Sequence, residues 1–105
     1  SNLDKLMINS NYALTIYGVS FYELIYYGIP TVVFSPYGKK DDFDLNYLRK
    51  KEICLVSDSQ TNAVHNLNRL IDDKNLCYNL SNNSKQTLNT LGINTFMKKI
   101  LNYEN

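Results

Sequence analysis

The stretch from Asn11 to Phe34, NYALTIYGVSFYELIYYGIPTVVF, constrains the fold more than the rest of the chain together. Tyr12 to Tyr17 is a near-continuous apolar run, the mark of a strand covered on both faces, as in parallel sheets. Gly18 then leads into a helix. Ser20 is placed to cap it, with Glu23 three residues later completing a capping-box pattern. Leu24, Ile25 and Tyr27 supply apolar faces, Gly28 is a helix stop, and Pro30 forbids continuation. Thr31 to Ser35 reads as a second buried strand. A strand that runs through a glycine into a helix start is how α/β proteins build anion sites. Glycine lets the backbone approach a phosphate, and the unpaired N–H groups of the helix face it. The region therefore reads as a nucleotide-binding βαβ unit.

Downstream, Pro36 to Lys40 is a loop turned by Gly38, and Asp41 or Asp42 is placed to cap a helix in which Phe43, Tyr47 and Leu48 share a face. Ile53 to Val56 is a third short strand. A helix from about Asn62 to Asp72 carries Ala63, Leu67, Leu70 and Ile71 at amphipathic spacing. Weaker helical periodicity runs from Leu76 to Leu91, interrupted by the polar SNNS around Asn82 and broken by Gly92. Two further helices are expected, a short one over Leu3–Ser10 and a closing one near Asn94–Tyr103 that buries Phe96, Met97, Ile100 and Leu101. Strands alternating with helices across short links imply parallel pairing and right-handed crossovers. The expected fold is α/β: a three-layer, Rossmann-like fragment with a short parallel sheet of about three strands flanked by helices. Residues 1–105 form a single partial domain, half of a doubly wound one.

A formal charge of +1 with no one-signed block gives no reason to expect nucleic acid or an anionic membrane as partner. No apolar run approaches the roughly 20 residues of a membrane span, and no signal peptide opens the chain. Cys54 and Cys77 lack metal-ligand spacing and read as buried free thiols, which fits a reducing cytoplasm. The opening Ser1-Asn2, without methionine, points to a longer natural chain. His65 has only Thr61 one turn earlier as a neighbour and reads as a helix-surface residue. Arg49, Lys50 and Lys51 complement the negative end of a helix. With no P-loop, ligand cluster or nucleophile elbow, no catalytic residue, metal or cofactor is expected in this chain.

Tyr17-Gly18-Val19-Ser20-Phe21-Tyr22-Glu23-Leu24 followed by Gly28-Ile29-Pro30 resembles the C-terminal domain of GT-B-fold nucleotide-sugar enzymes, the branch of MurG-like glycosyltransferases and PseG-like UDP-sugar hydrolases. Those families show a strand ending in glycines, small hydroxyl residues, an aromatic, Glu-Leu, and then Gly-(Ile/Leu/Val)-Pro. The resemblance covers most of the chain, but its specific part is the dozen residues from Gly18 to Pro30. It implies that Gly18, Val19, Ser20 and Phe21 line a diphosphate site and that Glu23 accepts from the ribose hydroxyls, since a carboxylate has two acceptor oxygens and no donor. It also implies that Asp42, Phe43 and Asp44 face the sugar, and that the base lies in an N-terminal domain of the parent chain.

The pattern departs at Tyr17, which stands where the family has its first glycine, at Phe21, which replaces a hydroxyl residue, and at Phe43-Asp44, where the family has an Asn-Gln or Gln-Gln pair. Glu23 also has a purely structural reading, bonding back to the Ser20 N–H as part of a cap. The implied function is binding of a UDP-linked sugar for transfer or hydrolysis in cell-surface polysaccharide or nonulosonic acid synthesis. The rival is a degenerate, non-catalytic Rossmann-like interaction or regulatory module. In the related architecture the outer edge of the Tyr12–Tyr17 strand pairs with a strand absent here, so the isolated chain is expected to self-associate as a homodimer or aggregate.

Overall fold

The computed structural model describes residues 11–35 and 41–92, together with 95 and 98. The expected helix over Leu3–Ser10 and the loop turned by Gly38 lie outside the described residues. So does most of the closing helix, of which Thr95 and Lys98 are described and helical.

Within the described residues the chain is an α/β, Rossmann-like arrangement. Its elements run β1 (Ala13–Ile16), α1 (Val19–Tyr26), β2 (Thr31–Phe34), α2 (Asp42–Lys51), β3 (Leu55–Ser57), α3 (Gln60–Asp72) and α4 (Lys74–Leu91). The sheet is parallel with order β1-β2-β3, and Ala13 to Ile16 pair with Thr31 to Phe34 in register. Val32 to Phe34 pair in turn with Leu55 to Ser57. β2 is central, and among the described residues no strand pairs with the outer edge of β1.

The period of two along β2 divides the core. Val33 joins Phe21, Ile25, Leu45, Leu48 and Ile53 under α1 and α2. Val32 faces the other way, onto Ala63, Leu67 and Leu70 of α3 and Leu80 of α4. Covering both faces is what makes apolar residues run consecutively in sequence. α4 reaches both clusters, with Leu80 in one and Leu88 packed against the other.

α1 ends in a Schellman motif. The Ile29 N–H donates to Leu24 O at 3.0 Å and the Gly28 N–H to Ile25 O at 2.9 Å. Gly28 takes the left-handed φ of 73° that this stop requires.

The opening of α1 differs from the capping-box reading. Gly18 occupies the cap position, Val19 begins the helix, and no side chain caps it. Ser20 is therefore the second helical residue, where its hydroxyl cannot fill the cap role. Nor does Gly18 use glycine's conformational freedom, since its φ of 168° is extended backbone. α4 is also more continuous than its periodicity suggests. It runs unbroken through SNNS, where two of the polar side chains are tied to backbone carbonyls: Asn83 Nδ2 donates to Glu52 O at 2.9 Å, and the buried Ser84 hydroxyl lies 3.0 Å from Leu80 O and 3.3 Å from Ile53 O. Caps at α3 and α4 are formed by Ser59, accepting from the Asn62 N–H, and Asp73, accepting from the Leu76 N–H. Among the described residues no helix is long and apolar enough to cross a membrane.

Candidate functional site

Because all three strands are parallel, their C-terminal ends share one edge of the sheet, where ligands bind in open α/β folds. That edge carries Tyr17 and Gly18 after β1, Ser35 after β2, and Ser57 and Asp58 at the end of β3. Gly18, Val19 and Ser20 are half-buried at the start of α1. The first N–H groups of a helix have no intrahelical acceptor, and here no side chain covers them. Glu23 lies one turn beyond Val19 with its side chain exposed.

Phe21 is the exception among the residues expected at the phosphate. Its ring is fully buried, with centroids 5.8 Å from Tyr17 and 5.1 Å from Tyr22. Position 21 faces the sheet, so its side chain belongs to the core, and only its backbone N–H remains for a ligand.

Tyr17 points into the same cluster and is 2% exposed. Its hydroxyl lies 2.5 Å from the Tyr22 hydroxyl and donates to Asp44 Oδ2 at 2.8 Å. Burial is the main cause holding this phenol well above the usual tyrosine range, with the Tyr22 and Asp44 contacts adding to it. Tyr17 thus belongs to the core cluster with Phe21 and Tyr22.

The expected sugar-facing trio separates in space. Asp44 accepts from the Tyr17 hydroxyl and is half-buried. Phe43 is 85% exposed while Leu48, expected on the same face, is buried; Leu45 and Leu48, three residues apart, form the buried face of α2. Asp42 is exposed and stands on the wall of a polar crevice. Asp41 sits at the α2 cap position without a cap bond, its Oδ2 accepting instead from the Ser35 hydroxyl at 2.6 Å.

The crevice, about 410 Å³, opens between the ends of β2 and β3 and the α2 helix. Its walls include Ser35, Ser57, Asp58, Asn46 and Arg49, none of them singled out by sequence as ligand groups. Ser57 is buried and accepts from Asn66 Nδ2 at 2.9 Å. Arg49 bridges Asn46 Oδ1 at 3.0 Å and Asp58 Oδ1 at 2.8 Å. The detectable signal was positional: Ser57-Asp58 directly follows the apolar run Ile53 to Val56 that reads as a strand. No family model, curated protein or solved structure matches this chain.

A second cleft, about 350 Å³, follows the outer side of β3 between Arg69 and Asn79. His65 is exposed on α3, and Cys54 and Cys77 are both free thiols. Among the described residues no cluster of three or more His, Cys, Asp or Glu side chains is placed to hold a metal. The groups gathered at the strand ends are hydrogen-bond donors and carboxylates.

Proposed function

We propose that this chain is the nucleotide-sugar-binding part of a GT-B-type enzyme that acts on a UDP-linked sugar, by transfer or by hydrolysis, in cell-surface polysaccharide or nonulosonic acid synthesis. The observation that carries the reading is the uncapped start of α1. Val19 and Ser20, the first residues of that helix, are half-buried at the C-terminal edge of a parallel sheet and no side chain caps them, with Glu23 exposed one turn on. The resemblance from Gly18 to Pro30 supplies the ligand class. In this reading the diphosphate meets the helix start and the ribose hydroxyls donate to Glu23. The catalytic base belongs to a separate N-terminal domain, and the setting is cytoplasmic.

A second reading is favoured by the Tyr17–Tyr22–Asp44 cluster. Aromatic filling at residue 17 and the diversion of Asp44 are what a Rossmann-like module would show after losing its ligand and keeping its fold. Ligand-observed NMR with UDP and UDP-N-acetylglucosamine separates the two. Saturable uridine binding weakened by Glu23→Ala supports the enzyme reading. Absence of binding, or binding indifferent to Glu23, leaves the module reading in its place.

A further inference from the structure

We infer that the cleft along the outer side of β3 is a binding site for a free amino acid with an apolar side chain, a zwitterion held by both of its charges. Among the described residues β3 lies at one end of the sheet and β1, which leads into α1, at the other. The inference therefore stands apart from the nucleotide reading. At about 350 Å³ the cleft falls within the size range of small-molecule sites.

Its apolar lining comes from Leu55 and Val56 of β3 and from Leu76 and Leu80 of α4. Two charged walls approach from opposite faces of the sheet. Arg69 belongs to α3, which packs on the Val32 face, and Glu52 ends α2, which packs on the Val33 face. Among the described residues neither side chain meets a charge of opposite sign, and the two are not paired with each other. Arg49, which also lines the cleft, is already paired with Asp58.

Both walls are anchored. Arg69 Nη1 donates to Asn66 Oδ1 at 3.2 Å, and the buried Asn66 is itself fixed by donating through Nδ2 to Ser57 Oγ at 2.9 Å. The guanidinium keeps its remaining N–H donors for a carboxylate. The Glu52 backbone is tied to α4 by Asn83, whose Nδ2 donates to the Glu52 carbonyl at 2.9 Å. Its carboxylate retains acceptors for an ammonium group. An anion alone satisfies Arg69 but also meets the Glu52 charge, and a cation alone meets the reverse. A ligand with one charge of each sign answers both, and its apolar side chain covers Leu55, Leu76 and Leu80.

The test is titration of the ¹⁵N-labelled full chain with L-leucine, set beside isocaproate, which lacks the ammonium group, and isoamylamine, which lacks the carboxylate. The expected result is saturable shifts at the Leu55, Val56, Asn79 and Asn83 amides with leucine, and binding about two- to fivefold weaker for each analogue, the worth of one exposed ion pair. Arg69→Gln should weaken leucine and isocaproate by that factor and leave isoamylamine unchanged; Glu52→Gln should weaken leucine and isoamylamine and leave isocaproate unchanged. Arg69 and Glu52 are both exposed, so the two variants keep the fold. A flat leucine titration overturns the inference, as do analogues that bind as tightly as leucine, or affinities that neither variant changes.

Discussion

The Tyr17 hydroxyl donates to Asp44 Oδ2 at 2.8 Å, joining the end of the first strand to the α2 helix across 27 residues of sequence. The bond is part-buried and its acceptor is a carboxylate, a combination at the stronger end of side-chain hydrogen bonds. Tyr17→Phe keeps the ring in the aromatic cluster and removes the hydroxyl, and with it both the bond to Asp44 and the contact with the Tyr22 hydroxyl. It should lower stability by about 1–2 kcal/mol, water replacing part of the bond at half-exposed Asp44. Asp44→Asn, which retains an acceptor, should cost less. Urea unfolding midpoints check both, and a Tyr17→Phe midpoint equal to wild type would remove this contact from any account of the fold.

Two buried acids make stability fall in alkali. Burial pushes the Cys54 thiol up to about 12, with the Arg49 charge pulling weakly the other way, and burial likewise raises the Tyr17 phenol. Both groups hold their protons in the folded state beyond the pH at which an unfolded chain releases them, roughly 8.5 for a thiol and 10 for a phenol. Below the first value neither contributes to pH dependence. Above it the unfolded state binds fewer protons, and stability declines by up to about 1.4 kcal/mol per pH unit for each group. Cys54→Ala should flatten the part of the curve between about pH 9 and 10. Unfolding midpoints measured from pH 7 to 11 test this, and parallel curves for the two proteins would contradict it.

The architecture was legible because burial on both sides writes itself into sequence as consecutive apolar residues. Tyr12–Tyr17 and Thr31–Ser35 gave the strands and the Gly28-Ile29-Pro30 stop gave the end of α1. The start of α1 was misread by two residues, since Ser20 and Glu23 carry capping-box spacing while the cap falls at Gly18. Spacing alone does not say which residue leaves extended backbone first. Asp42, Phe43 and Asp44 were grouped as one surface, yet consecutive helical residues point about 100° apart and meet three different surroundings. Tyr17 was recognised as a departure, but its partner lay too distant in sequence for any local pattern to reveal. The crevice residues were missed for a related reason: Arg49 resembles an ordinary helix-end cation, and only the fold brings Asp58 and Ser57 beside it.

Glu52 ends α2 with a φ of 54°, the described non-glycine residue with positive φ. The left-handed region costs a residue with a Cβ about 1 kcal/mol, and here a carboxylate also sits at the negative end of a helix. The backbone must stay there, because Asn83 of α4 donates to the Glu52 carbonyl. Glu52→Gly should therefore stabilise the protein by about 0.5–1 kcal/mol after the glycine's greater unfolded freedom is set against the relief. Glu52→Gln separates the charge from the backbone and should recover only a few tenths of that. Thermal melts of the two variants measure the split, and a destabilised Glu52→Gly would show that the Glu52 side chain contributes more than its strain costs.

Gly28 is the converse case, a left-handed position already held by glycine. Its φ is 73°, and a Cβ placed there would stand 3.2 Å from both Lys85 Cε and Ser81 Oγ of α4. Gly28→Ala meets two costs: the conformational one, about 1–2 kcal/mol, and crowding against α4. The Lys85 contact is the end of a flexible side chain and yields easily; the Ser81 hydroxyl is short and tied to its helix. The expected loss is about 1–3 kcal/mol, as for other special-backbone positions. Ser81→Gly in the same chain removes the less yielding obstacle but leaves the dihedral strain, so it should restore only part of the loss. Chemical denaturation of the single and double variants decides between the causes. Full rescue by Ser81→Gly would assign the requirement for glycine to the approach of α4, and no rescue would assign it to the helix stop alone.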